Sequence, residues 1–138
     1  MYLYARMCKH LNACNEGKFC RIEICYASIM SDCIFCKIRD KEIPSDILFE
    51  DEDVLVFRDI QPKAPLHLLI VPKRHVESIL ILDDSTKEIP GMLIWRAKEF
   101  AQKKGIPGYK LTFHVGREGG QIVDHLHLHL MANKKLGK

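Results

Sequence analysis

The chain has 138 residues, 47% of them hydrophobic and 28% charged, with a formal net charge of +3. One domain is expected at this length, large enough to bury roughly two-thirds of the surface its unfolded chain exposes. The charge is too mild to argue for nucleic acid or an anionic membrane as partner, and no apolar run approaches the roughly 20 residues of a membrane helix.

The first 29 residues read differently from the rest. They hold four of the six cysteines (Cys8, Cys14, Cys20, Cys25) and little periodicity. They have basic residues but no long apolar stretch and no small-residue cleavage site, which argues against a signal peptide. Residues 1–29 are therefore expected to be an N-terminal extension, disordered or a non-native start, with Met30 opening a domain over 30–138. Six cysteines without an export signal point to a reducing cytoplasm.

Along the domain, CIFCKIRD reads as a short helix that Ser31 can cap. In ILFEDEDVLVFRD, Ile47 to Phe49 and Val54 to Phe57 are apolar runs split by an acidic turn, the pattern of a hairpin. LHLLIVP, residues 66–72, is a mostly apolar strand stopped by Pro72. The one convincing helix lies within DDSTKEIPGMLIWRAKEFAQKKG. There Leu93, Trp95, Ala97, Phe100 and Ala101 recur at near-helical spacing, Pro90 and Gly91 sit in or break the first turn, and Gly105 ends it. YKLTFHV (109–115) is a strand, GREGGQ a loop, and IVDHLHLHLM the last strand. Five strands, one main helix and a short N-terminal helix give an α+β domain with a largely antiparallel sheet.

The stretch HLHLHL, residues 125–130, carries the chemistry. Successive side chains of a strand point to opposite faces, so His125, His127 and His129 share one face, roughly 7 Å apart, and Leu126, Leu128 and Leu130 the other. A single strand histidine is usually structural. Three on one face is different, because each buried imidazole needs partners to offset its desolvation. Two uses fit these residues. Alternate histidines can reach one metal ion. A neutral imidazole that donates one N–H to a carbonyl can also attack phosphorus with its other nitrogen. The loop of Gly116, Gly119 and Gly120 around Arg117, Glu118 and Gln121 favours phosphate, since glycines let backbone N–H groups approach an anion closely.

GREGGQIVDHLHLHLM resembles the His-x-His-x-His signature of the histidine triad nucleotide-binding proteins. FRDIQPKAPLHLLIVPKRHVESI resembles the family's other long motif, and CIFCKIRDKEIPSDILFEDEDVLVF its usual opening. The resemblance spans residues 31 to about 131 and is closest to the Hint branch.

The resemblance implies a protomer of the histidine triad fold and a homodimer whose sheets join into one. It implies hydrolysis or transfer at the α-phosphate of a purine nucleotide (AMP-like), with nucleoside phosphoramidates or aminoacyl-adenylates as substrates. His127 is implied as the nucleophile that forms a nucleotidyl-histidine intermediate, His129 as a contact to phosphate or leaving group, and His125 as support. His75 matches the fourth histidine that relatives place near the triad. Ile43, Phe57 and Ile60 match the positions that sandwich the base, and Asp59 the residue that holds the ribose hydroxyls. His114, Gly120, Gln121 and Ile122 complete the implied nucleotide site. Catalysis needs no cofactor, but Cys33, Cys36, His75 and His125 match a structural zinc set of bacterial members. Three departures stand out. Ile122 occupies the place of a serine that donates to phosphate or leaving group, His114 that of an asparagine, and the tail ANKKLGK lacks the glycine pair and aromatic-proline ending of relatives. A non-catalytic nucleotide-binding scaffold and a metal enzyme ligated by the triad are the competing readings.

Overall fold

The computed structural model describes residues 32–136. The expected extension, the Met30 start and the Ser31 cap lie outside the described residues. Five strands, β1 (Ile47–Glu50), β2 (Val54–Arg58), β3 (Leu66–Pro72), β4 (Lys110–Phe113) and β5 (Leu128–Ala132), form one antiparallel sheet in the order β1-β2-β3-β5-β4. A short helix, α1 (Ile34–Arg39), precedes them, and the main helix, α2 (Ile89–Lys103), crosses between β3 and β4.

The β1–β2 turn is closed by Asp51, whose carboxylate accepts the N–H groups of Asp53 at 2.8 Å and Val54 at 2.7 Å. Strand alternation then sorts the sheet into two cores. Val54, Val56, Leu66, Leu68, Ile70, Leu128 and Leu130 face α2, which presents Ile89, Leu93, Ala97, Phe100 and Ala101. These helix positions follow the i, i+4, i+8 stripe of one α-helical face. Leu55, Phe57, Leu69 and Val71 point the other way and meet Phe35 and Ile38 of α1. The short helix covers only part of that second face. His67, His127 and His129 fill the rest, and they are buried too.

Two expectations need correction. Trp95 does not belong to the buried stripe: it is 58% exposed, with the Lys98 ammonium 4.8 Å above its ring. It lies two residues from both Leu93 and Ala97, and two helical positions are about 200° apart, which turns it outward. The last strand is also shorter than IVDHLHLHLM. Pairing starts at Leu128, opposite Ile70 of β3 and Phe113 of β4. Before Leu128 the β4 side gives out, since β4 ends at Phe113; β3 runs on through Val71 and Pro72 but pairs there with β2 alone, and Pro72 has no N–H to donate. The backbone of residues 125–127 is held instead by other bonds, including Leu126 N–H to the Val76 carbonyl at 2.6 Å.

Candidate active site

Alternation survives this break in pairing. Leu126, Leu128 and Leu130 join the α2 core, while His125, His127 and His129 lie on the opposite side. Each imidazole has a partner that fixes where its proton sits. His127 Nδ1 lies 2.6 Å from the His125 carbonyl oxygen. A carbonyl only accepts, so Nδ1 carries the proton and Nε2 keeps its lone pair. His125 Nε2 donates to the Pro72 carbonyl at 2.8 Å, so its Nδ1 lone pair faces the cysteines.

The third chain of bonds runs through a residue that the sequence reading passed over. The backbone N–H of Lys63 donates to His67 Nδ1 at 3.0 Å, so the His67 proton is on Nε2. That N–H points at His129 Nδ1, 2.9 Å away, with the Asp59 carboxylate 3.3 Å off. His129 therefore carries its own proton on Nε2, and that atom is buried without a hydrogen-bond partner. A buried unmet N–H is costly unless something else supplies an acceptor. The available signal for His67 was LHLLIVP itself: alternation sets His67 on the face of Leu69 and Val71.

These assignments require neutral rings. Burial pushes His125 and His129 down to about 4, His129 further helped by the neighbouring His127, His114 and His67. Burial also lowers His127, His67 and His75. At neutral pH the face is a set of uncharged imidazoles with fixed donors and acceptors. Phe35, another residue the sequence reading missed, walls it. Its ring meets His127 edge-on at 5.2 Å and Phe57 at 5.5 Å.

The glycine loop is built in advance. A side chain at Gly119 would collide with the Val115 carbonyl oxygen, and Gly120 has φ +87°, which favours glycine. Gln121 is buried and acts as a strut: its Oε1 accepts Gly116 N–H at 3.1 Å, and its Nε2 donates to Glu77 O at 2.6 Å and Val123 O at 3.0 Å. Its amide is thereby committed inside the loop. Arg117 donates to the Gln121 and Ile122 carbonyls at 2.7 and 2.8 Å and pairs with Asp124. The Ile122 side chain points outward, 85% exposed.

The expected base-binding residues do not form one enclosed slot. Phe57 is buried in the second core with Ile43 packed against it, whereas Ile60 is 93% exposed. Asp59 Oδ1 accepts the Gln61 N–H at 2.8 Å, which sets its other oxygen toward His67.

Cys33, Cys36, His75 and His125 converge, their ligand atoms all within 4.8 Å of one another. Arg39 helps bring them together by tying α1 to the Lys73 carbonyl at 2.7 Å. Cys33 Sγ and Cys36 Sγ lie 3.4 and 3.7 Å from His125 Nδ1, and Cys36 Sγ lies 3.3 Å from His75 Nδ1. A tetrahedral zinc with bonds of about 2.3 Å to sulfur and 2.0 Å to nitrogen has S···N edges of about 3.5 Å, so these donors fit that ion. Burial, with Cys33 beside it, pushes the Cys36 thiol up to about 12. His75 belongs to this cluster. It neighbours the triad at His125, and the imidazole hydrogen-bonded to His129 is His67. The other convergent set among the described residues is Asp59, His67 and His129, so neither group gathers the three triad imidazoles around one point.

Residues 32–138 match the family model described as "Scavenger mRNA decapping enzyme C-term binding". Protein HitA of Neisseria gonorrhoeae is 42% identical over 103 residues, covering 74% of this chain and 96% of that protein. The chain belongs to the histidine triad family. The crystal structure of a HIT family hydrolase from Legionella pneumophila superposes with a TM-score of 0.70 at 45% identity, covering 77% of this chain and 96% of that one. A zinc-bound histidine triad family protein from Mycobacterium smegmatis superposes with a TM-score of 0.65 at 28% identity, covering 78% and 81%. The five-stranded antiparallel sheet with one main helix is the histidine triad fold.

Proposed function

We propose that this chain is a purine-nucleotide hydrolase or transferase that works at the α-phosphate through a covalent adduct on His127. The observation that carries this reading is the proton placement around His127: Nδ1–H is held by the His125 carbonyl, which leaves Nε2 as a lone pair on a buried, neutral ring. Nε2 attacks phosphorus, the P–N bond to His127 forms, and the bond to the amine or carboxylate leaving group breaks. Water then displaces His127. An amine takes a proton from the site as it leaves, and the water that later displaces His127 returns one, so the site ends each cycle as it began; a carboxylate leaves as the anion, and the water's proton is then released to solvent. His129 Nε2–H, buried and without a partner, donates to a non-bridging oxygen as charge builds there. The family's membership of a hydrolase such as that of Legionella pneumophila supports the same reaction class.

The nucleoside is assigned to Ile43, Phe57 and Ile60, with Asp59 accepting from the ribose hydroxyls. Cys33, Cys36, His75 and His125 are assigned to a structural zinc, a reading supported by their spacing and by the zinc-bound relative. When bound there, such an ion would cross-link α1 to the segments around His75 and His125. A homodimer is assigned to β4, an edge strand among the described residues, and the exposed Ile94 and Trp95 of α2.

The test is turnover of an adenosine phosphoramidate by the native chain and by His127→Ala, with acid quench to trap a nucleotidyl adduct. The expected result is loss of turnover by at least about 10³-fold and loss of the adduct, with AMP still bound. Unchanged turnover in His127→Ala overturns the reading. The exposed Ile122, in place of a hydroxyl donor, favours the second reading of a nucleotide-binding scaffold. Tight AMP binding without turnover of any phosphoramidate or adenylate would select it.

A further inference from the structure

We propose that Arg39 is a positioning residue for His127, acting through the Lys73 and Pro72 carbonyls and the His125 ring. The proposal rests on reading His127 as the nucleophile. It gives the last residue of α1 a part in holding that imidazole's proton in place.

A helix of six residues does not keep its position by itself. α1 is fixed by what it touches. Phe35 and Ile38 bury its apolar side in the second core. Arg39 supplies the polar anchor. Its Nε and Nη2 donate to the two Asp40 carboxylate oxygens at 2.8 and 2.9 Å, a fork that fixes the plane of the guanidinium. Nη1 is thereby aimed at the Lys73 carbonyl, 2.7 Å away, and the side chain is only 23% exposed.

Lys73 lies where the sheet stops holding the chain. β3 ends at Pro72, and beyond it no strand ladder fixes the backbone that leads to His75. Two consecutive peptide groups are tied there instead. The Pro72–Lys73 peptide donates its N–H to the Asp53 carbonyl at 2.7 Å and accepts His125 Nε2–H at 2.8 Å. The next carbonyl, that of Lys73, accepts Arg39. His125 passes the constraint on, since its own carbonyl accepts His127 Nδ1–H at 2.6 Å. Three hydrogen bonds thus link a half-buried cation on α1 to the proton of the nucleophile. Packing adds a second link: Phe35, on the same helix, meets the His127 ring at 5.2 Å, so a shift of α1 also moves the wall of the site.

The experiment compares the full chain and Arg39→Ala, both supplied with zinc, by side-chain ¹⁵N NMR of the histidines and by kinetics on an adenosine phosphoramidate. His127 should show a single tautomer, protonated at Nδ1, in the native chain and a mixture in Arg39→Ala. The kcat should fall about tenfold, because a small misplacement of a reacting group costs that much or more. AMP affinity should stay within about threefold. Arg39→Lys, which keeps a cationic donor, should recover part of the lost kcat. Unchanged His127 signals in folded Arg39→Ala overturn the proposal. So does an AMP affinity that falls as far as kcat, which would mark loosened packing alone. Where Arg39→Ala does not fold, Arg39→Met, which keeps the apolar stem and drops the guanidinium, takes its place with the same expected and overturning results. The NMR readout needs no turnover, so its failure is distinct from a failure of the His127→Ala test.

Discussion

His125 links two chemistries: its backbone carbonyl accepts the Nδ1–H of His127 at 2.6 Å, while its own Nδ1 faces Cys33 and Cys36 at 3.4 and 3.7 Å. The residue that sets the proton on the proposed nucleophile also belongs to the cysteine–histidine cluster.

Zinc loading should therefore be felt at His127. A metal that binds the folded chain and not the unfolded one stabilises it by mass action, here by about 2–3 kcal/mol at about 100-fold excess over its dissociation constant. For a domain of this size that is on the order of 10 °C in Tm. Chelation, or Cys36→Ser, should remove the gain and broaden or move the imidazole ¹⁵N signals of His127. A Tm and a His127 spectrum indifferent to zinc would contradict this.

His67 should matter to rate more than to binding. In His67→Phe, His129 Nδ1 loses its donor and the tautomer with Nε2–H is no longer enforced. We expect kcat to fall roughly ten- to a hundredfold, with AMP affinity within about twofold of the native chain. Circular dichroism should confirm that the variant folds. An unchanged kcat in folded protein would remove His67 from the site.

Acid should unfold the metal-free protein earlier than its carboxylates alone require. His129 is held down to about 4 by burial, against an ordinary value of 6.5. Below 6.5 the unfolded chain takes up a proton that the folded chain refuses, so stability is present above 6.5 and is lost as pH falls towards 4. The loss attributable to this ring is on the order of 3 kcal/mol. Urea titrations at pH 7, 6, 5 and 4.5 measure it. In His129→Gln the slope between pH 6.5 and 4 should be visibly shallower.

Gly119→Ala tests the loop. The added Cβ meets the Val115 carbonyl oxygen, a backbone atom that cannot swing aside. The expected cost is about 1–3 kcal/mol in urea unfolding, together with weaker phosphate binding. A variant as stable as the native chain, with native phosphate affinity, would show that the loop is slack.

Much of this protein was legible in its residues. Alternation in LHLLIVP and HLHLHL fixed which side chains face the core, because a strand's period of two does not depend on what lies beside it. Helical period likewise placed Leu93, Ala97, Phe100 and Ala101, and the quoted motifs placed the family. Tertiary structure decided the rest. Periodicity could not say that pairing stops at Leu128, because that depends on where β4 ends beside it and on β3 pairing with β2 alone beyond Ile70. It could not divide His67 from His75, since both are single histidines near the same strand; folding sends His67 to His129 and His75 to the cysteines. It gave Trp95 to the core, where the helix turns it outward. The protonated nitrogens of His125 and His129 are set by groups distant in sequence, the Pro72 carbonyl and the His67 N–H, which only the packed sheet brings within 3 Å. Those of His67 and His127 are set locally, by the Lys63 N–H and the His125 carbonyl, and the four bonds together leave His127 Nε2 as the free lone pair and His129 Nε2–H as the free donor.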